Sequence, residues 1–361
     1  MRWDNLRIDS TAPAGEASRP QGTLPLIERN AVVRTFDTPG FRGMTFYEVQ
    51  AKSIVSRVPD ASKVPFRWTI NPYRGCQHAC AYCFARNTHT YLDLDAGQDF
   101  NSKVVVKVNA PELLRAKLRS RGWPGEHIAM GTNVDCYQRA EGRYRLMRGI
   151  ITALRDAANP FSILTKGTLI LRDLDLLLEA AEVTDVGLNV SAGFVDEDLW
   201  RAIEPGTPAP QRRLDACAAL NDAGLRCGVL MGPIVPYLSD SPSQLAAAVR
   251  QAAAAGAAHV SPIVLHLRPG AREWFLGWLR EAHPALVPRY AELYGRGAYA
   301  RPEYQSRISA EVRDLAERYG VGRGNRNPSS DRVARGGGRG GGRPSAPADG
   351  AAGEREQLAL F

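Results

Sequence analysis

The sequence predicts an α/β chain built as a partial (β/α)6 TIM-like barrel, followed by a helical C-terminal extension and a disordered tail. Three observations carry this. Short apolar runs alternate with amphipathic stretches from Phe66 to Leu265. The runs are continuous rather than alternating apolar and polar, which suits a parallel sheet buried on both faces. Polar side chains gather just past the C-terminal ends of these runs, where α/β folds place their chemistry. Right-handed crossovers curl such a sheet into a full or partial barrel. An open doubly wound sheet satisfies the same pattern.

Residues 1–44 form an N-terminal arm, loosest over the polar, Pro-, Gly- and Arg-rich first 30 residues. Within Thr45–Lys63, Phe46, Val49 and Ile54 suit a short element packed under the loop that follows. Phe66–Asn71 has the aromatic and β-branched content of a strand, stopped by Pro72 and Gly75. Lys103–Val108 reads as an extra strand, and Pro111–Arg121 as a helix with Pro111 and Glu112 in its first turn. The alternation then runs Ile128–Gly131, helix Tyr144–Ala158, Phe161–Leu164, helix Leu174–Ala181, Val186–Val190 and helix Gln211–Ala223. It closes with Cys227–Met231, helix Pro242–Ala255 and Val260–Leu265. Counting Phe66–Asn71, that makes six strands in a core spanning residues 45–270. Residues 271–320 read as two or three helices closing the barrel's open edge or bottom, with aromatics such as Trp274, Trp278 and Tyr299 read as core more than as a ligand platform. Residues 321–361 form a basic Gly/Arg tail, without enough apolar residues to offset the entropy of ordering.

At 361 residues with 44% hydrophobic content, the chain can bury a sizeable core. The N-terminus lacks the apolar stretch of a signal peptide, and no apolar run reaches the ~20 residues that span a bilayer, so a cytoplasmic protein without a membrane partner is expected. Six cysteines, three of them in one loop, suit a reducing compartment where clustered thiols bind metal. The net charge of +8 permits nucleic-acid binding, and an Arg- and Ala-rich composition explains it equally well.

The chemistry is concentrated in Asn71-Pro-Tyr-Arg-Gly-Cys76-Gln-His-Ala-Cys80-Ala-Tyr-Cys83-Phe-Ala-Arg86. A C-x3-C-x2-C loop holds three thiolates close enough to grip one inorganic centre. An iron–sulfur cube usually takes four protein thiolates, so three leave one iron open to a substrate or cofactor. A closed zinc site with His78 as fourth ligand is the competing reading. Around the barrel mouth, Thr132, Asn133 and Asp135 follow the second strand, Thr165 and Lys166 the third, and Asn189 and Ser191 the fourth. Lys166 is either a snorkelling rim residue or a partner for a carboxylate. Asn189 and Ser191 share one face of their strand, as ligand groups or as a satisfied interior pair.

The cysteine spacing with Tyr82 before the last cysteine resembles the cluster loop of the radical S-adenosylmethionine (radical SAM) enzymes. With GTNVDCYQRAEGRYRLMRGII, SILTKGTLILRDLDLL, the Ser191 strand and Glu204-Pro-Gly-Thr-Pro followed by Arg213, the chain is similar to their spore photoproduct lyase-like branch over roughly residues 45–300. The resemblance implies a partial (β/α)6 barrel, a 4Fe-4S cluster, S-adenosylmethionine (SAM) and an external one-electron reductant. It implies that Cys76, Cys80 and Cys83 ligate three irons, and that the Tyr82 segment meets the adenine. Thr132 would stand by the methionine amino end, Lys166 by its carboxylate, and Ser191 or Asn189 by the ribose. The expected reaction is reductive cleavage of SAM to a 5′-deoxyadenosyl radical that abstracts hydrogen, on a nucleic acid in the manner of DNA repair. A small molecule or peptide is the alternative substrate, and a non-catalytic zinc- or cluster-binding adaptor the alternative class. Photoproduct lyases carry a hydrogen-donating cysteine where this chain has Gly131. Cys136, a few residues on, is the candidate displaced donor, with an alternative ligand or an apolar filler as the other readings. The lyases' aromatic and basic DNA-contacting hairpin is not evident. The terminal Gln357, Leu358, Leu360 and Phe361 resemble the peptide by which repair proteins dock on the DNA sliding clamp.

Overall fold

The structure, a computed structural model, describes residues 6–7, 31–60, 62 and 64–321. Most of the N-terminal arm, the Gly/Arg tail and the clamp-like peptide therefore lie outside the described residues.

The main sheet contains β4 (Val55–Arg57), β5 (Trp68–Ile70), β8 (Ile128–Met130), β9 (Phe161–Thr165), β10 (Val186–Ser191), β11 (Cys227–Ile234) and β12 (Val260–Val264). Its order is β12-β11-β10-β9-β8-β5-β4. From β5 to β12 every pairing is parallel and every neighbour is the next strand of this sheet along the chain. A doubly wound sheet reverses its order at a switch point; this one never does, so it curls in one sense as a partial barrel. The edge β4 pairs antiparallel with β5 and was not anticipated from sequence. The outcome matches the expected six-strand barrel, with each strand within a few residues of its predicted place.

Burial explains these strands. All eight residues of β11 are buried, and β9 buries Phe161, Ile163 and Thr165 on one face. Between the strands lie α4 (Leu146–Asp156), α5 (Leu174–Val183), α6 (Glu197–Ile203), α7 (Pro210–Asp222) and α8 (Pro242–Ala254). In α4 the buried Met147, Ile150, Ile151 and Leu154 recur at helical spacing. Ser241 and Gln244 form a capping box at the start of α8, with Pro242 in the first turn.

The extra strand is β7 (Lys103–Lys107), in a second sheet with β1 (Leu6–Arg7), β2 (Val32–Arg34), β3 (Thr45–Ala51) and β6 (Tyr73–Arg74). Of the short helices, α1 (Gln98–Ser102) lies between β6 and β7, α2 (Ala110–Leu118) runs from β7 to β8 and so links the two sheets, and α3 (Arg139–Tyr144) lies between β8 and α4. Beyond β12 come α9 (Ala271–Ala282), α10 (Val287–Tyr294) and α11 (Pro302–Arg318). Helix α11 packs on α8 and on the edge strand β12, covering that edge. Phe275, Tyr290 and Tyr294 are core residues, whereas Tyr299 is 49% exposed. No helix of the described residues is long and apolar enough to cross a membrane.

Candidate active site

The cysteine loop leaves β5 through β6 at the C-terminal end of the barrel. Buried Gln138 clamps it at both ends of one turn, donating from Nε2 to the Gly75 carbonyl (3.0 Å) and accepting from the Gln77 amide (3.1 Å). The Cys76 amide donates to Phe100 O (3.0 Å), the Ala81 amide to Ile203 O (2.9 Å), and the Gly206 amide to His78 O (3.1 Å). Cys76 and Cys80 are buried, Cys83 is half-buried, and all three line one cavity of about 1970 Å³. Burial pushes all three thiols up, which disfavours the bare thiolates.

Among the described residues no three His, Cys, Asp or Glu side chains are grouped to hold a single metal ion. His78 is engaged elsewhere, its Nδ1 lying 3.4 Å from Asp135 Oδ2, and burial holds its ring well below the ordinary histidine range. An iron–sulfur cube takes each thiolate on a different iron, so its ligands line one space instead of converging on one point. Three soft donors facing a shared cavity fit that group.

Asp135 ties the loop to the barrel. Its Oδ1 accepts from the Tyr137 amide (2.8 Å) and Thr165 Oγ1 (2.6 Å), and its Oδ2 from the Lys166 amide (2.6 Å). This fixes the end of β9, from which the Lys166 side chain reaches across to β10. Lys166 Nζ donates to Ser191 Oγ (2.9 Å), which donates to Gly232 O (2.8 Å). The same ammonium lies 5.8 Å from the Tyr82 ring centroid and 3.9 Å from Glu204 Oε1. Burial holds its pKa down, opposed by the Cys80 thiol.

Glu204, part of the Glu204-Pro-Gly-Thr-Pro segment, has no role that the sequence assigns. It is fully buried, and it accepts from the Tyr82 hydroxyl and from Arg213 Nη2. Arg213 also donates to Thr207 Oγ1 (2.6 Å), Pro208 O (2.8 Å) and Ser191 O (3.1 Å). Burial raises the Glu204 pKa and Arg213 draws it back. One carboxylate thus connects the cysteine loop, β10 and α7.

The predicted residues divide accordingly. Tyr82, Thr132, Lys166, Ser191 and the three cysteines line the large cavity. Thr132 Oγ1 is 2.7 Å from Thr69 Oγ1, itself donating to Ala129 O. Asn189 lines a separate small void instead, its Oδ1 2.8 Å from His259 Nε2. Cys136 is fully buried in the main core, outside the cavity lining.

At the cavity's rim stands a cluster missed in the sequence. Phe84 is 45% exposed, and the Arg268 guanidinium lies 5.6 Å from its ring centroid. Arg268 Nη2 donates to the Tyr299 hydroxyl (3.3 Å), whose ring meets His266 at 4.7 Å between centroids. Phe84 was visible as the aromatic after Cys83, but Arg268 and Tyr299 lie some 200 residues on and meet it only through folding.

The fold and site together are a one-way parallel half-barrel that carries a three-thiol loop at its strand ends, on one cavity with Lys166 and Ser191. Residues 70–248 match the Radical SAM superfamily. An uncharacterized protein of Mycobacterium tuberculosis is 50% identical over 298 residues, 82% of this chain and 88% of that protein. An uncharacterized protein of Methanocaldococcus jannaschii is 34% identical over 180 residues, 50% of this chain and 65% of that protein. Spore photoproduct lyase complexed with dinucleoside spore photoproduct shares the fold at a TM-score of 0.58 and 16% identity, over 77% of this chain and 80% of that one. A mutant of that lyase with bound AdoMet and dinucleoside spore photoproduct gives 0.55 at 16% identity, over 73% and 77%. The chain belongs to the radical SAM superfamily and is a radical SAM enzyme.

Proposed function

We propose that Cys76, Cys80 and Cys83 hold three irons of a 4Fe-4S cluster, that SAM binds at the fourth, and that the substrate is a nucleic acid. Cluster and cofactor together supply one-electron cleavage of the sulfonium to methionine and a 5′-deoxyadenosyl radical for hydrogen abstraction, with the electron from an external reductant. The observation that carries the cofactor assignment is the meeting of three thiols, Lys166 and Ser191 on one cavity. Lys166 is suited to the methionine carboxylate, because Glu204 is already balanced by Arg213 and leaves the ammonium's charge available. Ser191 is suited to the ribose. Tyr82, anchored through its hydroxyl, holds its backbone still for the adenine. We assign Cys136 to packing, since its thiol reaches no cavity surface. Asn189, bonded to His259, supports the floor.

The rim supports the nucleic-acid substrate. Exposed aromatic faces beside a guanidinium are what an unstacked base and its phosphate use. At about 1970 Å³ the cavity also exceeds the ~300–1,000 Å³ of common small-ligand pockets, leaving room beside SAM for an extruded nucleotide. A spore photoproduct lyase structure of the same fold is complexed with dinucleoside spore photoproduct. On this reading residues 45–270 are the catalytic unit, 271–320 its helical cover, and Gln357, Leu358, Leu360 and Phe361 a docking peptide for the sliding clamp.

The test is anaerobic reconstitution followed by SAM cleavage under dithionite, on wild type and Cys80→Ala, with and without DNA. Wild type is expected to bind iron and release 5′-deoxyadenosine, more so with DNA, and Cys80→Ala to do neither. An iron-free wild type sinks the cofactor assignment; cleavage indifferent to DNA, with no salt-dependent DNA binding, sinks the substrate.

A further inference from the structure

Arg86, three residues past the last cysteine, is fully buried. Its Nη1 donates to Ala96 O (3.1 Å) and Gly97 O (2.9 Å). Its Nη2 donates to Cys80 O (3.1 Å) and Asn101 Oδ1 (3.0 Å). All four acceptors are neutral. The guanidinium also lies 4.4 Å from the Trp274 ring centroid and 5.2 Å from that of Phe100. The remaining donor, Nε, is buried and has no partner. A fixed cation stripped of water and given only neutral partners is strongly disfavoured unless a negative charge stands close by. The bond from Nη2 to the Cys80 carbonyl fixes this uncompensated cation on the cysteine loop itself, where thiolates would stand if a cluster were held.

We propose that Arg86 is the fixed counter-cation of the cluster held by Cys76, Cys80 and Cys83, and that it raises the cluster's reduction potential. The inference rests on the cluster assignment above. One-electron reduction adds negative charge to the centre, and a desolvated cation beside it favours the reduced form. Net charge, hydrogen bonding and burial are the levers a protein has on such a potential. Arg86 acts through the cluster without touching substrate, so its role is positioning and electrostatic.

The experiment is a redox titration of the reconstituted full chain, following the EPR signal of the reduced cluster, on wild type, Arg86→Gln and Asn101→Asp. Arg86→Gln removes the charge. Asn101→Asp keeps the shape and sets a carboxylate against Nη2, compensating the charge in place. Each variant is expected to disfavour reduction at least tenfold, a midpoint 59 mV lower for one electron. A purely structural arginine would leave the midpoint unmoved. Wild-type or higher midpoints in the variants overturn the proposal; if Arg86→Gln does not retain iron, Asn101→Asp alone decides. An iron-free wild type removes the cluster assignment and this inference with it, whereas iron-loaded variants of unchanged midpoint remove this inference alone.

Discussion

Gly131 stands where the lyase resemblance leads one to expect a hydrogen-donating cysteine, and the backbone has no room for one. Its φ is +77°, and a Cβ built there would lie 1.8 Å from the Leu164 carbonyl oxygen. The missing donor is thus a property of the chain's path between β8 and β9 and not a one-atom substitution. Gly131→Ala is expected to destabilise the fold by about 2 kcal/mol or more, combining overpacking with left-handed backbone strain. Urea unfolding checks this, and an unchanged midpoint would mean that the strand ends separate easily. His266 gives a pH signature. Burial, reinforced by Arg268, lowers its pKa from the ordinary 6.5 to about 4. A depressed folded-state pKa contributes stability above pH 6.5 that is lost as pH falls toward 4, by at most about 3 kcal/mol. Wild type should therefore lose more stability than His266→Gln between pH 7 and 4.5 in parallel denaturation series; identical slopes would rule out a buried neutral imidazole.

At the scale of elements, the segment between α6 and α7 acts as a clasp on the cysteine loop. Besides the Glu204 contacts, Gly206 lies so close that a Cβ would meet Gln77 O at 1.9 Å. Arg213→Met leaves Glu204 buried opposite Lys166 alone, and removing one partner of a buried pair costs about 3–5 kcal/mol. The double variant Glu204→Gln/Arg213→Met should recover part of that loss, since no unpaired charge is left behind. Equal stability of wild type and Arg213→Met in denaturant would show that the pair contributes nothing. The barrel strands were legible because continuous apolar runs must be buried on both faces. The second sheet was half legible: Lys103–Val108 reads as a strand, but the pairing of β7 with β3 joins segments more than fifty residues apart. Edge strand β4, with two of its three residues exposed, carries almost no hydrophobic signal.

At the scale of the whole molecule, the rim of Phe84, Arg268 and Tyr299, the proposed substrate surface, is gathered from both ends of the barrel sequence. The proposed clamp peptide would give a second, independent route to DNA. A pull-down with purified sliding clamp should retain the full chain and lose the variant lacking residues 357–361. Equal retention of both would dismiss the peptide, leaving the barrel chemistry untouched.

By itself the sequence determined the barrel, because strand and helix periods are local, and the cysteine loop, because its three thiols are covalently spaced within eight residues. Only the tertiary structure decided which polar side chains share a cavity. Tyr82 and Glu204 are 122 positions apart, and Lys166 meets Ser191 across 25. Such pairs follow from the registry of neighbouring strands, and no short-range pattern encodes it. For the same reason Ser191 opens on the cavity while Asn189, two residues before it on the same strand face, is held by His259.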